Sequence, residues 1–240
     1  MSYFRHFPKV DYDILGDGIT QSVTNITSYV DINSKLLDDI SFYSEYVIAD
    51  RQRPDNVSMT LYGTDKYYWT FFIINEHLKN SYTNWPRKQS SLEEFCQSKY
   101  EGIGAVVNGD VFGKFIPGEV VTGQISGATG NVIAIYPSTE WVQIEKTSGS
   151  PDFTVGGETI VGSDGQASVT AKSINDSLHA PRHFVDSAGN ITDKKSSGTT
   201  AVSFYKHEVE LNLSNSKIRV IKPALIKKVF KLFVNEISEN

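Results

Sequence analysis

The residues whose types and spacing could do chemistry are five histidines, one cysteine and two glycine-rich copies in a chain of 240 residues. His179 and His183 stand four apart, the spacing that sets two imidazoles on one side of a helix, where they can hold a metal. Pro181 lies between them, and a proline inside a helix removes a hydrogen bond and clashes with the preceding turn. No Asp, Glu or Cys sits at a ligand-like spacing, so the pair reads as two exposed loop histidines and no metal is expected. Cys96 falls among Leu92, Phe95 and Tyr100 at helical spacing, and apolar burial raises a thiol pKa and leaves it inert. The glycine-rich copies are not followed by Lys-Ser or Lys-Thr and do not open a helix, so they form turns rather than a phosphate cradle. The carboxylates are spread out, and none pair as glycoside hydrolysis requires. No catalytic residue and no cofactor is expected.

Composition sets the class. With 39% apolar and 21% charged residues the chain is a folded protein, long enough for one or two hydrophobic cores. A net charge of −5 argues against nucleic acid as the main partner, because phosphate neutralisation needs clustered Lys and Arg. One cysteine excludes an intrachain disulfide framework. The start, MSYFRHFPKVDYDI, lacks the apolar core of a secretory signal. The longest apolar run, Phe71 to Ile74, is far short of the roughly 20 residues of a membrane span. The expectation is a soluble chain made in a cytoplasm, with no membrane partner.

The elements that must position any site follow from periodicity. Residues 1–45 form a polar arm with scattered aromatics, Tyr3, Phe4 and Phe7 among them, and a turn or short helix after Asn33-Ser34. Tyr43 to Asp50 reads as a strand centred on Tyr46, Val47 and Ile48. Pro54 suits the first turn of a helix that carries Val57, Leu61 and Tyr62 and stops at Gly63. Asp65 can cap a second helix, apolar nearly all round from Tyr67 through Trp69 to Ile74, and therefore buried. Pro86 pushes Trp85 out of helical geometry. Ser90 and Ser91 precede Glu93 and Glu94 at capping-box spacing and start a helix ending near Gly102.

At about Gly104 the composition shifts: residues 104–172 hold 12 of the 18 glycines. Short β-rich runs alternate with turns, and Pro117-Gly118-Glu119-Val120-Val121-Thr122-Gly123 returns as Gly156-Gly157-Glu158-Thr159-Ile160-Val161-Gly162. Each copy leads into a small-residue turn and a further strand, the pattern of a compact all-β sandwich or barrel. Residues 173–200 read as a polar linker, and 201–212 alternate like strand. From Pro223 an amphipathic helix places Ile226, Val229, Phe230, Phe233 and Ile237 on one face and lysines mostly elsewhere. That face could dock on the chain's own domain, on a partner or on a membrane surface.

Strand, proline-started helix, Tyr-Gly turn, aromatic helix and Asn is an order that resembles a LysM-like β-α-α-β domain. Its residues here are Tyr46, Pro54, Leu61, Tyr62, Gly63, Trp69, Ile74 and Asn75. The wording, Tyr46-Val47-Ile48, Arg53-Pro54-Asp55, Leu61-Tyr62-Gly63, Tyr68-Trp69 and Ile74-Asn75 followed by Trp85, is similar to one lineage. It resembles the LysM-like wedge subunit of contractile phage baseplates, the family numbered fifty-three in T-even-type phages. The resemblance covers residues 1–103 and 205–237, with Lys217-Ile218-Arg219-Val220-Ile221 leading into the last helix. The segment 104–172 departs from the pattern as an inserted β module. The resemblance implies an α+β fold organised as arm (1–45), LysM-like domain with the following helix (46–103), insertion (104–172), linker (173–200) and C-terminal strands and helix (201–240). It also implies a structural, non-enzymatic role: bridging neighbouring wedges so that they close into a ring around the hub. The partners would be other wedge subunits and neighbouring wedge copies, and the location the virion baseplate, assembled in the host cytoplasm. Tyr3, Phe4, Phe7, Trp85, Phe230 and Phe233 are then candidates for partner contact. A second reading is a peptidoglycan-binding LysM module of a tail-associated protein. Such modules typically carry a Gly-Asp-Thr-Leu-like turn after the first strand, where this chain has Asp50-Arg51-Gln52-Arg53-Pro54. A third, a tail-associated lysin, needs an acid–base pair that the sequence lacks.

Overall fold

The computed structural model describes residues 3–27, 40–78, 83–107, 109–163 and 167–239. Its contacts divide the chain into two units, Met1–Lys88 with Asn212–Asn240, and Gln89–Leu211. Helices and strands both contribute, and the fold is α+β.

The first unit opens with a short 3-10 turn, Tyr3–His6, and an antiparallel hairpin of β1 (Lys9–Tyr12) and β2 (Gln21–Thr24). The turn or helix expected after Asn33-Ser34 lies outside the described residues. β3 (Tyr43–Val47) leads into α1 (Pro54–Tyr62), which starts at its proline as expected. The helix stops where Gly63 takes φ +68°, with its N–H closing on the Met59 carbonyl. The aromatic stretch that follows is not one helix. Thr64, not Asp65, caps a 3-10 turn over Asp65–Tyr67, and α2 spans only Thr70–Ile74. The Ser58 hydroxyl binds the Thr64 carbonyl and accepts from the Tyr67 N–H, fixing this tight connection.

The second unit begins with α3 (Gln89–Lys99), which buries Leu92 and Cys96. The helix starts ahead of Ser90 and Ser91, so these serines lie in its first turn rather than forming a capping box. Six strands then close into a barrel: β4 (Ile103–Val107), β5 (Val120–Gly123), β6 (Thr129–Tyr136), β7 (Trp141–Lys146), β8 (Thr159–Gly162) and β9 (Ser168–Asp176). Their ring order is β4-β7-β6-β5-β8-β9, antiparallel throughout. The order maps onto itself when β4, β5 and β6 are exchanged for β7, β8 and β9. The sequence repeat therefore extends to the whole barrel. Thr122 pairs directly with Val161, its counterpart in the second copy, which puts a pseudo-twofold axis through that pair. Each half carries a one-residue bulge at the same point, Ile133 in β6 and Lys172 in β9.

The repeated glutamates link the halves. Glu158 accepts from the N–H groups of Ile125 (2.7 Å) and Ser126 (3.3 Å) in the turn of the first copy, and from Thr154 (2.8 Å). Glu119 accepts from Ser163 in the second copy (3.2 Å) and from Ile116 (3.1 Å). Burial alone would raise the Glu158 carboxyl, but those N–H groups outweigh it and hold the pKa at about 2. Gly123 is required beside it, since a Cβ there would lie 2.8 Å from the Glu158 carboxyl carbon. The barrel core is mostly aliphatic, built around Val121, Val132, Val142, Ile144 and Ile160, with Phe115 and Phe153 buried in it.

The stretch 173–200, expected to be a linker, is structured. β9 runs to Asp176, and β10 (Pro181–Val185), β11 (Ile191–Thr192) and β12 (Thr200–Ser203) form a small sheet in the order β11-β10-β12. The alternation seen over 201–212 ends as strand at Ser203, whose hydroxyl caps α4 (Phe204–Asn215) by accepting from the Lys206 N–H. The residue this helix buries is Glu208, held by Lys99 (2.8 Å) and the Tyr100 hydroxyl (2.6 Å), so its helical period is hidden from an apolar pattern.

The chain then completes the first unit. β13 (Lys217–Ile221) pairs antiparallel with β3, Arg219 opposite Glu45, and α5 (Ile226–Glu239) buries Ile226, Val229, Phe233 and Ile237. The strand that pairs with β3 thus comes from beyond the second unit. Asn212 binds both backbone groups of Arg87, at 2.8 and 3.1 Å, so the segment leaves and re-enters the first unit at one point.

Candidate functional site

The residues suited to catalysis do not converge. Among the described residues no group of three or more His, Cys, Asp or Glu could hold a metal. His179 lies on a 3-10 turn against Tyr205, whereas His183 is a half-buried strand residue facing His207, with ring centroids 5.9 Å apart. Burial first, and Arg182 second, hold both His183 and His207 below the usual imidazole range. Cys96 is a buried thiol, as its helical neighbours implied.

What does converge is a scaffold. β3, α1, α2 and β13 enclose Ile48, Val57, Phe71, Leu78, Trp85, Ile218 and Val220, with Tyr46, Leu61 and Tyr62 packed around them. The Tyr62 hydroxyl donates to the Ile221 carbonyl at 3.0 Å, and burial pushes its pKa up. Asn75 is buried and acts as a strand residue made of side chain. Its amide donates to the Arg219 carbonyl (2.9 Å) and accepts from the Arg219 N–H (2.8 Å), satisfying both backbone groups on that side of β13. The same amide donates to the Phe71 carbonyl at 2.8 Å. Trp85 donates through Nε1 to the Gln52 carbonyl (2.8 Å), and the Gln52 side chain accepts from the Tyr46 hydroxyl (3.0 Å) and the Ala49 N–H (2.9 Å). The loop after β3 is therefore filled by its own side chains. On the face of the β3–β13 ribbon away from the core lies an open groove of about 800 Å³, lined by Glu45, Val47, Glu76, His77, Lys217 and Arg219.

A second cluster binds the arm to the last helix. Phe7, Trp69, Phe233 and Ile237 are buried together, with Ile74 in the adjoining cluster of Ile221, Ile226 and Val229. Trp69 and Phe233 approach to 4.4 Å between ring centroids, and Phe230 sits against Tyr67 at 5.5 Å. Of the six aromatics proposed for partner contact, Phe7, Trp85 and Phe233 are thus used inside the unit, and Phe230 is half-buried. Tyr3 opens the first turn, and Phe4 is exposed beside Phe7.

In the first unit, exposed apolar side chains gather on the hairpin, most of them aliphatic residues that a search for aromatics passes over; in the second unit Phe112, Val155 and Ile191 are as exposed. Tyr12 is 61% exposed, Leu15 77% and Ile19 67%, and Val10, Ile14 and Ile26 are exposed as well. The loop between the strands is nonetheless ordered. The Asp13 carboxylate accepts from the N–H groups of Gly16 (2.6 Å), Asp17 (3.2 Å) and Gly18 (2.8 Å), and these bonds, Gly18's foremost, lower its pKa. A rigid loop that presents aliphatic side chains to solvent is suited to protein contact. The sequence signal was the Val10/Tyr12 alternation before Leu15-Gly16-Asp17-Gly18.

No helix among the described residues is long and apolar enough to cross a membrane. No curated protein matches the chain. The family model described as base plate wedge protein 53 matches residues 4–113, from the first turn through α3 and β4 to the loop beyond; it does not extend to the C-terminal part, 205–237. Over residues 4–113, somewhat less than half of its length, the chain is similar to the family of base plate wedge protein 53.

Proposed function

We propose that the chain is a structural, non-enzymatic subunit of a contractile phage tail baseplate wedge that bridges neighbouring wedges and so closes them into a ring around the hub. The first unit is a LysM-like scaffold in this reading, and the second an insertion. Its partners are other wedge subunits and neighbouring copies, met in the host cytoplasm and retained in the virion. The observation that carries the reading is the pre-ordered hairpin of residues 9–24 with its exposed aliphatic tip, inside the stretch that matches the wedge family. The hairpin belongs to a two-stranded sheet only, and such a ribbon gains its stability by packing on something else. Phe4 extends the same exposed surface.

Leu15→Asp with Ile19→Asp tests this. The variant should keep its circular dichroism and melting curve, because both side chains lie outside the core, but should no longer enter baseplates or co-purify with wedge subunits. Normal incorporation would overturn the bridging role of the hairpin. The glycan reading predicts saturable binding to insoluble cell walls. The loop after β3, closed by Gln52 and Trp85, supports the expectation that none will be seen.

A further inference from the structure

We propose that the second unit carries a binding site for a tetrahedral oxyanion of the phosphate class, in a pocket of about 350 Å³ beside β9. The pocket is lined by Lys172, Lys194, Lys206 and His179, with the hydroxyls of Ser173 and Ser203, and no carboxylate is among its lining residues. This is unexpected in a chain with 28 acidic and 23 basic residues. The walls between these groups are apolar, including Val106 and Phe184, which strengthens charge attraction inside.

Three further features point inward. Ser203 is both a lining residue and the N-cap of α4; its hydroxyl holds the Lys206 N–H and the Ala180 carbonyl holds that of Phe204, so the helix start adds its dipole rather than those two donors. Lys194 is anchored by Glu140, a carboxylate that positions the amine without lining the cavity. Lys172 is the bulge residue of β9, the extra residue that a bulge re-aims away from the ladder.

The barrel supplies its own control. In the first half the counterpart bulge residue is Ile133, followed by Ala134, whereas the second half has Lys172 followed by Ser173. The same backbone irregularity therefore exists with and without the amine and hydroxyl. Barrel closure does not require them, and they occur in the half that β10, β12 and α4 turn into a pocket. Lysines bind phosphate as point charges, and the hydroxyls of Ser173 and Ser203 add hydrogen-bond donors for tetrahedral oxygens.

The test uses the full chain and inorganic phosphate, titrated by isothermal calorimetry at constant ionic strength with chloride as the balance. Saturation at one phosphate per chain is expected. Lys172→Ile with Ser173→Ala, which copies the first half, should fold with an unchanged melting curve and weaken binding at least about tenfold. Lys206→Gln provides an independent variant and should weaken binding as well. Unsaturable heats, or equal affinity in the parent and both variants, would overturn the site. Saturation by an Asp- and Glu-rich peptide without saturation by phosphate would overturn it too, by making the pocket a protein contact. None of these outcomes depends on the baseplate reading.

Discussion

Two polar side chains hold this molecule together at the scale of the residue. Asn75 closes the side of β13 with three hydrogen bonds, and Asn75→Ala would strand the Arg219 N–H and carbonyl and the Phe71 carbonyl in a buried site. Each stranded group costs about 1–3 kcal/mol, so a loss of roughly 3 kcal/mol is expected in urea unfolding. Asn75→Asp should be no milder, because a carboxylate cannot donate to the two carbonyls. Glu158 acts in the barrel. Its carboxyl titrates at about 2 when folded against 4.5 ordinarily. A depressed pKa contributes stability that is complete above about pH 4.5 and is lost as pH falls towards 2. Glu158→Gln should cost roughly 1–3 kcal/mol at neutral pH. It should also flatten the barrel's melting temperature between pH 4.5 and 2, where the parent declines. An equally steep decline in the variant would show that another group governs acid stability. Neither role was legible beforehand. Asn75 was marked only through a family pattern, and Glu158 only as a member of the repeat, because partners of both lie far along the chain.

Elements were readable where the sequence encodes their ends. Pro54 and Gly63 bracket α1 because their backbone preferences are local, and the repeated Gly-Glu motif marked β5 and β8. Readings failed where polar groups carry the period. α4 buries Glu208 instead of an aliphatic, so the period-two spacing of Val202 with Phe204 and of Val209 with Leu211 imitated a strand. The aromatic run after Gly63 was taken as one helix because apolar content says nothing about a Thr64 cap and a 3-10 turn within it. α5 makes the contrast testable. Phe233 is 3% exposed against Trp69, whereas Leu232 beside it is 41% exposed. Phe233→Ala should destabilise the first unit by about 3–5 kcal/mol and Leu232→Ala by about 0.5 or less, measured by denaturant unfolding. Equal effects would mean that the helix does not dock by this face.

At the scale of the whole molecule, the change of composition at Gly104 marked the barrel but not the boundary. The division falls at Gln89 and Leu211, because α3, the small β10–β12 sheet and most of α4 group with the barrel. The pairing of β3 with β13 spans the entire second unit, and no local signal announces such a partner. That pairing makes a definite demand on the two ends of the second unit. Since Asn212 holds both backbone groups of Arg87, a short bridge suffices to join Lys88 to Asn212. Closing a short loop costs little more than the contact already made. Replacing Gln89–Leu211 with a Gly-Ser linker should therefore leave a first unit that melts cooperatively and keeps the β3–β13 amide protection in hydrogen exchange. Replacing only 104–172 should fare worse, because it removes β5 to β8 with nearly all of β4 and half of β9, and leaves Phe204, with Tyr100 beside it, without the Tyr136–Trp141 stack it packs against. If the larger deletion melted without cooperativity while the smaller one folded, the composition boundary would be the real one and the division at Gln89 would be wrong.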